Sequence, residues 1–290
     1  MRSEQEMLDL ILDVARKDDR VRAVILNGSR ANPNARRDFF QDFDIVYVVT
    51  DFAAFKGQPD WIDVFGERMM MQLPDDMQNW DPGESIEYRY AYLIQFTDGN
   101  RIDLTLFDIR RLDKLGNDSL TVTLLDKDGI LPAFPPASDA DYLPRPPSAK
   151  QFADITNEFW WVSTYVAKGL WRDEIRYALH ALDIIREQLL TLLDWYVGVK
   201  TEFKQDPGKW GKHLDTFLEA RDWALVLKTY PRADVEECWE ALFAACALFH
   251  STANAVAAHF GFDYPQGDDR RVTAHLEHVR QLPADAAEMY

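Results

Sequence analysis

A proline-rich stretch divides this 290-residue chain into two parts of different character. Six of its 14 prolines fall within residues 131–147, where no helical or strand periodicity is present. Short apolar runs with turn signals come before this stretch, and long segments with helical spacing come after it. We therefore predict two domains, residues 1–135 and 148–290, joined by an extended linker at residues 136–147.

The first part is predicted to be an α/β (or α+β) domain with a mixed sheet, because strand and helix patterns alternate in it. Apolar spacing predicts a helix over residues 3–18, with Ser3 as its N-cap. A second helix is expected around Trp61–Arg68. The predicted strands are Val21–Leu26, Phe43–Val49, Tyr88–Phe96, Ile102–Phe107 and Leu120–Leu125.

The second part is predicted to be an all-α helical bundle, because apolar residues recur in it at helical spacing. The predicted helices are Ser148–Gly169, Arg172–Val197, His213–Ala220, Ala233–Phe260 and Asp269–Arg280.

The charge balance limits the class of partner. Aspartate and glutamate number 49 against 32 lysines and arginines, which gives a net charge of −17. Such a surface repels phosphate backbones and attracts cations, so a nucleic-acid partner is not expected. A cationic small molecule, in contrast, would be drawn toward a cleft in this protein.

The sequence shows no pattern of an exported or membrane protein. Acids interrupt the apolar stretch near the N-terminus, and the apolar runs are shorter than the ~20 residues of a membrane span. Two cysteines, Cys238 and Cys246, are too few for a disulfide framework or a cysteine-rich zinc site. We expect a cytoplasmic protein with no membrane contact, and we favour a monomer.

The first segment that suggests chemistry is Gly28-Ser29-Arg30, just after the first predicted strand. Glycine lets the backbone approach a ligand closely, and backbone N–H groups in such a turn are available to phosphates. The spacing and the lysine of a P-loop are missing. Taken alone, the segment is more often an ordinary turn.

The second is Asp42-Phe43-Asp44, at the start of a strongly apolar strand. Side chains alternate across a strand, so the two carboxylates point the same way and Phe43 points to the other face. Adjacent carboxylates repel each other unless a cation lies between them. The alternative is a solvated strand entrance.

The third is Asp103, which lies inside a predicted strand with Thr105 and Phe107 on its face. A neighbouring strand that carries Asp42 and Asp44 would bring three carboxylates together. Such hard oxygen ligands suit one or two Mg²⁺ ions. The alternative is that Asp103 forms a salt bridge with a nearby arginine such as Arg101 or Arg89.

In this order, these features resemble the nucleotidyltransferase superfamily of the DNA polymerase β type. Its pattern is a strand, Gly-Ser or Gly-Gly, roughly a dozen residues, two carboxylates one residue apart on a strand, and a later carboxylate. The segments LNGSRANP, DFFQDFDIVYVV and RIDLTLFD, with WWVSTYVAKGLWRDEIRYA and LLDWYVGVKT in the helical part, are similar to the bacterial aminoglycoside 6-adenylyltransferases. This similarity extends over nearly the whole chain.

The resemblance implies an activity. ATP would donate AMP to a hydroxyl of an aminoglycoside, the 6-hydroxyl of streptomycin, with Mg²⁺ as cofactor and pyrophosphate as the second product. Such a reaction inactivates the antibiotic and confers resistance.

The resemblance also implies residue roles. Gly28 and Ser29 would hold the triphosphate, with Arg30 as a helper. Asp42 and Asp44 would ligate the metal ions, and Asp103 would complete the metal site or accept the proton of the hydroxyl. In such enzymes a lysine of the helical domain reaches the phosphates, which points to Lys212 or its neighbour Lys209; the alternative is a solvated loop lysine.

The acceptor is expected to bind to the helical domain. Carboxylates and aromatic rings suit a guanidinium-bearing sugar, because the former pair with its charge and the latter stack on its plane. The candidate residues are Glu158, Trp161 and Tyr165, with Asp154, on one helix, and Trp171, Asp173 and Glu174 after it. The alternative is a solvated acidic face with partly buried aromatics.

Two other functions fit the same sequence. One keeps the reaction and changes the acceptor to another aminoglycoside, a lincosamide or a protein hydroxyl. The other is a non-catalytic nucleotide-binding regulator, although such a protein has little need for three clustered acids.

Overall fold

The structure, a computed structural model, describes residues 1–77 and 87–290. The chain divides into two compact units, Met1–Asp141 and Tyr142–Tyr290, and the point of division lies within the proline-rich stretch. Each unit encloses a hydrophobic core of its own.

The first unit contains a mixed sheet, as predicted, and among the described residues it has six strands, where the sequence predicted five. In its described residues the strand order is β3-β4-β5-β2-β1-β6; β2 and β5 are parallel, and all other neighbours are antiparallel. The strands are β1 (Val21–Asn27), β2 (Phe43–Val49), β3 (Arg68–Gln72), β4 (Arg89–Phe96), β5 (Arg101–Asp108) and β6 (Val122–Asp126). The parallel pair at the centre matters most for function, because it carries two of the predicted acids.

Two α-helices, α1 (Glu4–Lys17) and α2 (Phe52–Lys56), accompany the sheet in the described part of this unit. Ser3 caps α1 as predicted, and Glu6 completes a capping box by accepting from the Ser3 backbone N–H. The helix expected around Trp61–Arg68 is misplaced. A 3₁₀-helix covers Pro59–Phe65, Gly66 ends it with φ of 132°, and Arg68 already belongs to β3.

The central strands are buried on both faces, which explains their continuous apolar sequences. The larger cluster includes Phe43, Ile45 and Tyr47 of β2. On the opposite face, Val46 packs in a smaller cluster with Ile25 and Phe107, partly covered by side chains from the proline-rich stretch. Asp44 shares this second face with Val46, because side chains alternate along the strand.

The second unit is helical, as predicted. Its α-helices are α3 (Ala149–Trp171), α4 (Ile175–Thr201), α5 (Leu214–Phe217), α6 (Ala220–Lys228), α7 (Val235–Phe260) and α8 (Gln266–Gln281). The single helix predicted over His213–Ala220 is wrong, because Leu218 adopts extended backbone angles and separates α5 from α6. Further 3₁₀ turns along the chain are Gly28–Arg30, Pro74–Asp76, Ile109–Lys114, Ala140–Tyr142 and Lys209–Gly211.

Helix α7 forms the centre of this unit. It is the one described helix with the length and apolarity of a membrane span, with a mean hydropathy of 1.5, yet 61% of that window is buried inside the structure. Its two cysteines, Cys238 and Cys246, are buried free thiols. We interpret α7 as the core helix of the bundle.

Candidate active site

Three carboxylates meet at the start of the parallel strand pair. Asp44 on β2 and Asp103 on β5 are direct neighbours in the ladder, and Asp42 precedes β2 by one residue. One oxygen of each carboxylate lies within 4.8 Å of one oxygen of the other two, and all three residues are half-buried. The structure therefore brings together the three acids that the sequence pointed to, and we call them the acid triad.

Gly28 lies directly against this triad. Its φ is +70°, and a Cβ built on it would come within 2.9 Å of Asp44 Cγ. Both observations require glycine at this position, since other residues rarely adopt that φ and there is no space for a side chain. Asn27, just before Gly28, is the ladder neighbour of Asp44, and its Oδ1 accepts a 3.0 Å hydrogen bond from Thr121 Oγ1.

Ser29 follows Gly28 in the short 3₁₀ turn and is half-buried. Its carbonyl accepts a 3.3 Å hydrogen bond from Gln41 Nε2. Gln41 Oε1 is buried and, among the described residues, has no hydrogen-bond donor. Sequence reasoning missed Gln41; its position directly before Asp42 was the only available signal.

Arg30 does not lie as expected. Its side chain is 5% exposed and forms a 2.9 Å ion pair with Glu4, and its guanidinium lies 3.9 Å from the centre of the Phe43 ring. Its Nε and Nη2 donate to the carbonyls of Asp42 and Gln41 at 2.9 and 2.7 Å. Arg30 therefore holds the backbone that carries Asp42. Its guanidinium nitrogens contact Glu4 and the carbonyls of residues 41 and 42, where a phosphate ligand was expected.

Asp103 also has the salt bridge that was its alternative interpretation. Arg101 Nε and Nη2 donate to the two carboxylate oxygens of Asp103, each at 2.7 Å, and Arg101 Nε lies 3.9 Å from Asp42 Oδ2. The hydrogen bond with Asp103 raises the pKa of the Arg101 guanidinium. Arg89, the other arginine considered, is the ladder neighbour of Phe107, four residues farther along β5 than Asp103.

The predicted acceptor residues of the helical unit differ in their surroundings. Glu158 is exposed on α3, and Trp161, 60% exposed, donates its indole N–H to Tyr165 Oη at 2.7 Å. Trp171 is half-buried and donates to the carbonyl of Pro283 at 3.2 Å, so its polar atom is already engaged. Asp173 is exposed in the turn between α3 and α4, with φ of 59°.

The loop lysines lie outside the α-helices and strands, and Lys209 begins a 3₁₀ turn. Lys212 is exposed and comes directly after the 3₁₀ turn Lys209–Gly211.

Asp154, another of the acids proposed to meet the acceptor, lies on α3 and forms an ion pair with Lys150.

A further acid of the helical unit escaped the sequence analysis. Asp194 on α4 is half-buried, and burial together with repulsion from Asp206 raises its pKa to about 6. Its signal was present in the sequence, since a carboxylate stands within the apolar run LLTLLDWYV.

Comparison with known proteins agrees with the family resemblance seen in the sequence. A family model described as streptomycin adenylyltransferase matches residues 1–279. An aminoglycoside 6-adenylyltransferase of Bacillus subtilis (strain 168) is 41% identical over 282 residues, covering 96% of this chain and 98% of that protein. Proteins of the same description from Campylobacter jejuni and Staphylococcus aureus are 39% and 34% identical, over 93% and 91% of this chain and 93% and 94% of theirs.

Solved structures are similar as well. One of them is the crystal structure of an aminoglycoside 6-adenyltransferase from Bacillus subtilis, with 37% sequence identity, 97% of this chain and 100% of that chain covered, and a TM-score of 0.47.

Proposed function

Because the chain belongs to the streptomycin adenylyltransferase family, we propose that it transfers AMP from ATP to a hydroxyl of an aminoglycoside. We propose the 6-hydroxyl of streptomycin as the acceptor and pyrophosphate as the second product. The antibiotic is thereby inactivated. Since ATP is the donor, the reaction takes place in the cytoplasm, and we propose that the enzyme acts as a monomer.

The acid triad is the observation that carries this proposal. Its donors are carboxylate oxygens, the ligands that Mg²⁺ prefers, and their separations suit one small cation or a pair of them. Asp42 and Asp44 would hold Mg²⁺, with Asp103 as the third side chain. When bound, Mg²⁺ supplies positive charge to the phosphates and orients the attacking and leaving oxygens.

The segment beside the triad would bind the triphosphate. Gly28 brings the backbone against Asp44, so the turn of residues 28–30 and the metal ligands lie side by side. Ser29 would contribute its hydroxyl and its backbone N–H. Gln41 holds the turn in place, because its Nε2 donates to the Ser29 carbonyl. Arg30 acts through the backbone, because its guanidinium fixes residues 41 and 42.

Asp103 has two roles open to it, metal ligand and acceptor of the hydroxyl proton. Asp103 is the direct ladder neighbour of Asp44, and one of its carboxylate oxygens lies within the acid triad. A cation beside the acceptor aids the transfer, because it lowers the pKa of the hydroxyl that gives up its proton. Apart from that, the chain contributes mainly by positioning the reactants.

We assign the acceptor to the helical domain, residues 148–290, and the nucleotide to residues 1–135. The exposed acid Glu158 and the adjoining rings of Trp161 and Tyr165 suit a guanidinium-bearing sugar. Asp173 adds charge and Trp171 adds apolar surface, while Lys212 is proposed to reach the phosphates.

Pyrophosphate release tests the proposal. The full chain is incubated with ATP, Mg²⁺ and a panel of streptomycin, other aminoglycosides and lincosamides, and the products are identified by mass spectrometry. We expect release with streptomycin and an AMP ester on it. Absence of release with every acceptor would contradict the proposal and favour a nucleotide-binding regulator. Release with a different acceptor only would replace streptomycin.

A further inference from the structure

Arg101 binds the carboxylate of Asp103, which is one of the proposed metal ligands. Both oxygens of Asp103 accept from its guanidinium at 2.7 Å, in the bidentate geometry that is the strongest form of this pair. A cation that binds Asp103 must share a carboxylate oxygen with Arg101 or displace it. Both oxygens of Asp103 already accept hydrogen bonds from the guanidinium.

We propose that Arg101 competes with Mg²⁺ for Asp103 and so sets the affinity of the acid triad for metal. The inference rests on the proposed function, since it takes the triad as the metal site. Three carboxylates and one guanidinium leave a formal charge of −2 among the four side chains, so a divalent ion is still attracted. The positive guanidinium weakens that attraction, and it also binds the Asp103 carboxylate that would ligate the ion.

Arg101 is placed so that it can leave. It is the first residue of β5, and its side chain is 44% exposed, so the guanidinium can rotate into water. Its backbone pairs with Gln95 and stays in the ladder. Because water reaches the guanidinium, the net free energy of this ion pair is small enough for a divalent cation to displace Arg101.

The other end of β5 provides an internal comparison. Arg110 forms a similar fork with Asp108, again two residues away, and Asp108 is buried. Asp108 is five residues from Asp103, about 16 Å along the strand, and lies outside the triad. The Asp108 carboxylate also accepts from the backbone N–H of Arg110 at 2.9 Å, which marks it as a structural contact.

Metal binding without nucleotide tests the competition. Mn²⁺ is titrated into the full chain and followed by electron paramagnetic resonance for wild type, R101Q and the matched control R110Q. We expect R101Q to bind Mn²⁺ between about twofold and tenfold more tightly, the range of an exposed to partly buried ion pair. R110Q should bind as wild type does. Circular dichroism and thermal melting verify that all three are folded.

Nuclear magnetic resonance of the arginine Nε–Hε groups tests the exchange directly. Addition of Mg²⁺ should shift the Arg101 signal, identified by its absence in R101Q, and leave the Arg110 signal in place. Unchanged Mn²⁺ affinity in R101Q, or an unmoved Arg101 signal while Mg²⁺ binds, would overturn the competition alone. Failure of wild type to bind Mn²⁺ would overturn the metal site itself.

Discussion

Gly28 and Asp44 are in such close contact that a single methyl group on residue 28 would come within 2.9 Å of the Asp44 Cγ. The glycine therefore does more than permit a turn, because it sets the distance between the turn of residues 28–30 and the acid triad. The proposed metal ligand Asp44 and the proposed triphosphate-binding turn can adjoin only if this space stays open.

Substitution G28A should abolish most activity and also destabilise the first unit. Alanine at φ of +70° costs about 1 kcal/mol in strain, and the added methyl displaces the Asp44 carboxylate. G129A is the matched control, because Gly129 has φ of +66° and open space around it. It should lose similar stability and keep its activity. Equal kcat/KM values in the two variants would contradict the role of the Gly28–Asp44 contact.

Substitutions D42N and D44N should each abolish turnover and leave the fold intact, because they remove charge and keep volume. The loss of charge stabilisation in the transition state is worth several kcal/mol, thus about three orders of magnitude or more in kcat. D19N, a change of an exposed acid before β1, is the control for charge alone. Near-wild-type rates in both triad variants would disprove the metal assignment.

The sequence predicted most strands and the faces of the acids because both rest on short-range patterns. Alternation sets the faces on which Asp44 and Asp103 lie, but their meeting depends on the parallel pairing of β2 with β5, which the sequence analysis stated only as a condition. The helix around Trp61–Arg68 failed because Gly66 and the pairing of Arg68 with Phe96 on β4 decide that segment, and the partner strand is distant in sequence.

The contacts of individual side chains were harder to predict than the helices and strands. Arg30 looked like a phosphate ligand because it follows Gly-Ser, but its burial beside Glu4 and Phe43 depends on how α1 packs near β2. Arg101 was one of two possible partners of Asp103, and the register of β4 against β5 decided between it and Arg89. Such contacts follow from tertiary packing, which no local pattern contains.

Substitution R30Q should lower both stability and kcat. It removes a buried cation that donates to the carbonyls of Gln41 and Asp42 and pairs with Glu4, and we expect a loss of about 2–4 kcal/mol in the free energy of unfolding. R37Q is the control, because Arg37 lies 3.9 Å from Glu4 and is 49% exposed. Denaturant unfolding and kinetics at saturating ATP measure the two effects. If R30Q is as stable as R37Q but binds ATP poorly, Arg30 contacts phosphate after all.

Substitution D194N should stabilise the protein at alkaline pH. Burial and Asp206 raise the pKa of Asp194 to about 6 from 3.8, so the folded state holds this proton more tightly than the unfolded state. The resulting stability is fully present below pH 3.8 and is lost as pH rises through 6. At pH 8, D194N should gain up to about 3 kcal/mol over wild type, and at pH 4 little. E187Q, an exposed change on the same helix, should show no such pH dependence; a parallel pair of curves for D194N and wild type would refute the assignment.

Substitution E158Q should raise the KM for streptomycin more than the KM for ATP. Glu158 is exposed on α3, so the attraction to a guanidinium is that of a rim pair, about 0.2–1 kcal/mol or a factor of up to about five. The effect should shrink as salt rises, because part of the attraction is long-range and screened. D154N should have a smaller effect, since Lys150 already pairs with Asp154, and E187Q on α4 controls for net charge. Initial rates at two salt concentrations measure both constants. If E158Q, D154N and D173N all keep the wild-type KM for streptomycin, this face of α3 is solvated surface, and the acids that recognise the antibiotic lie elsewhere in the helical domain.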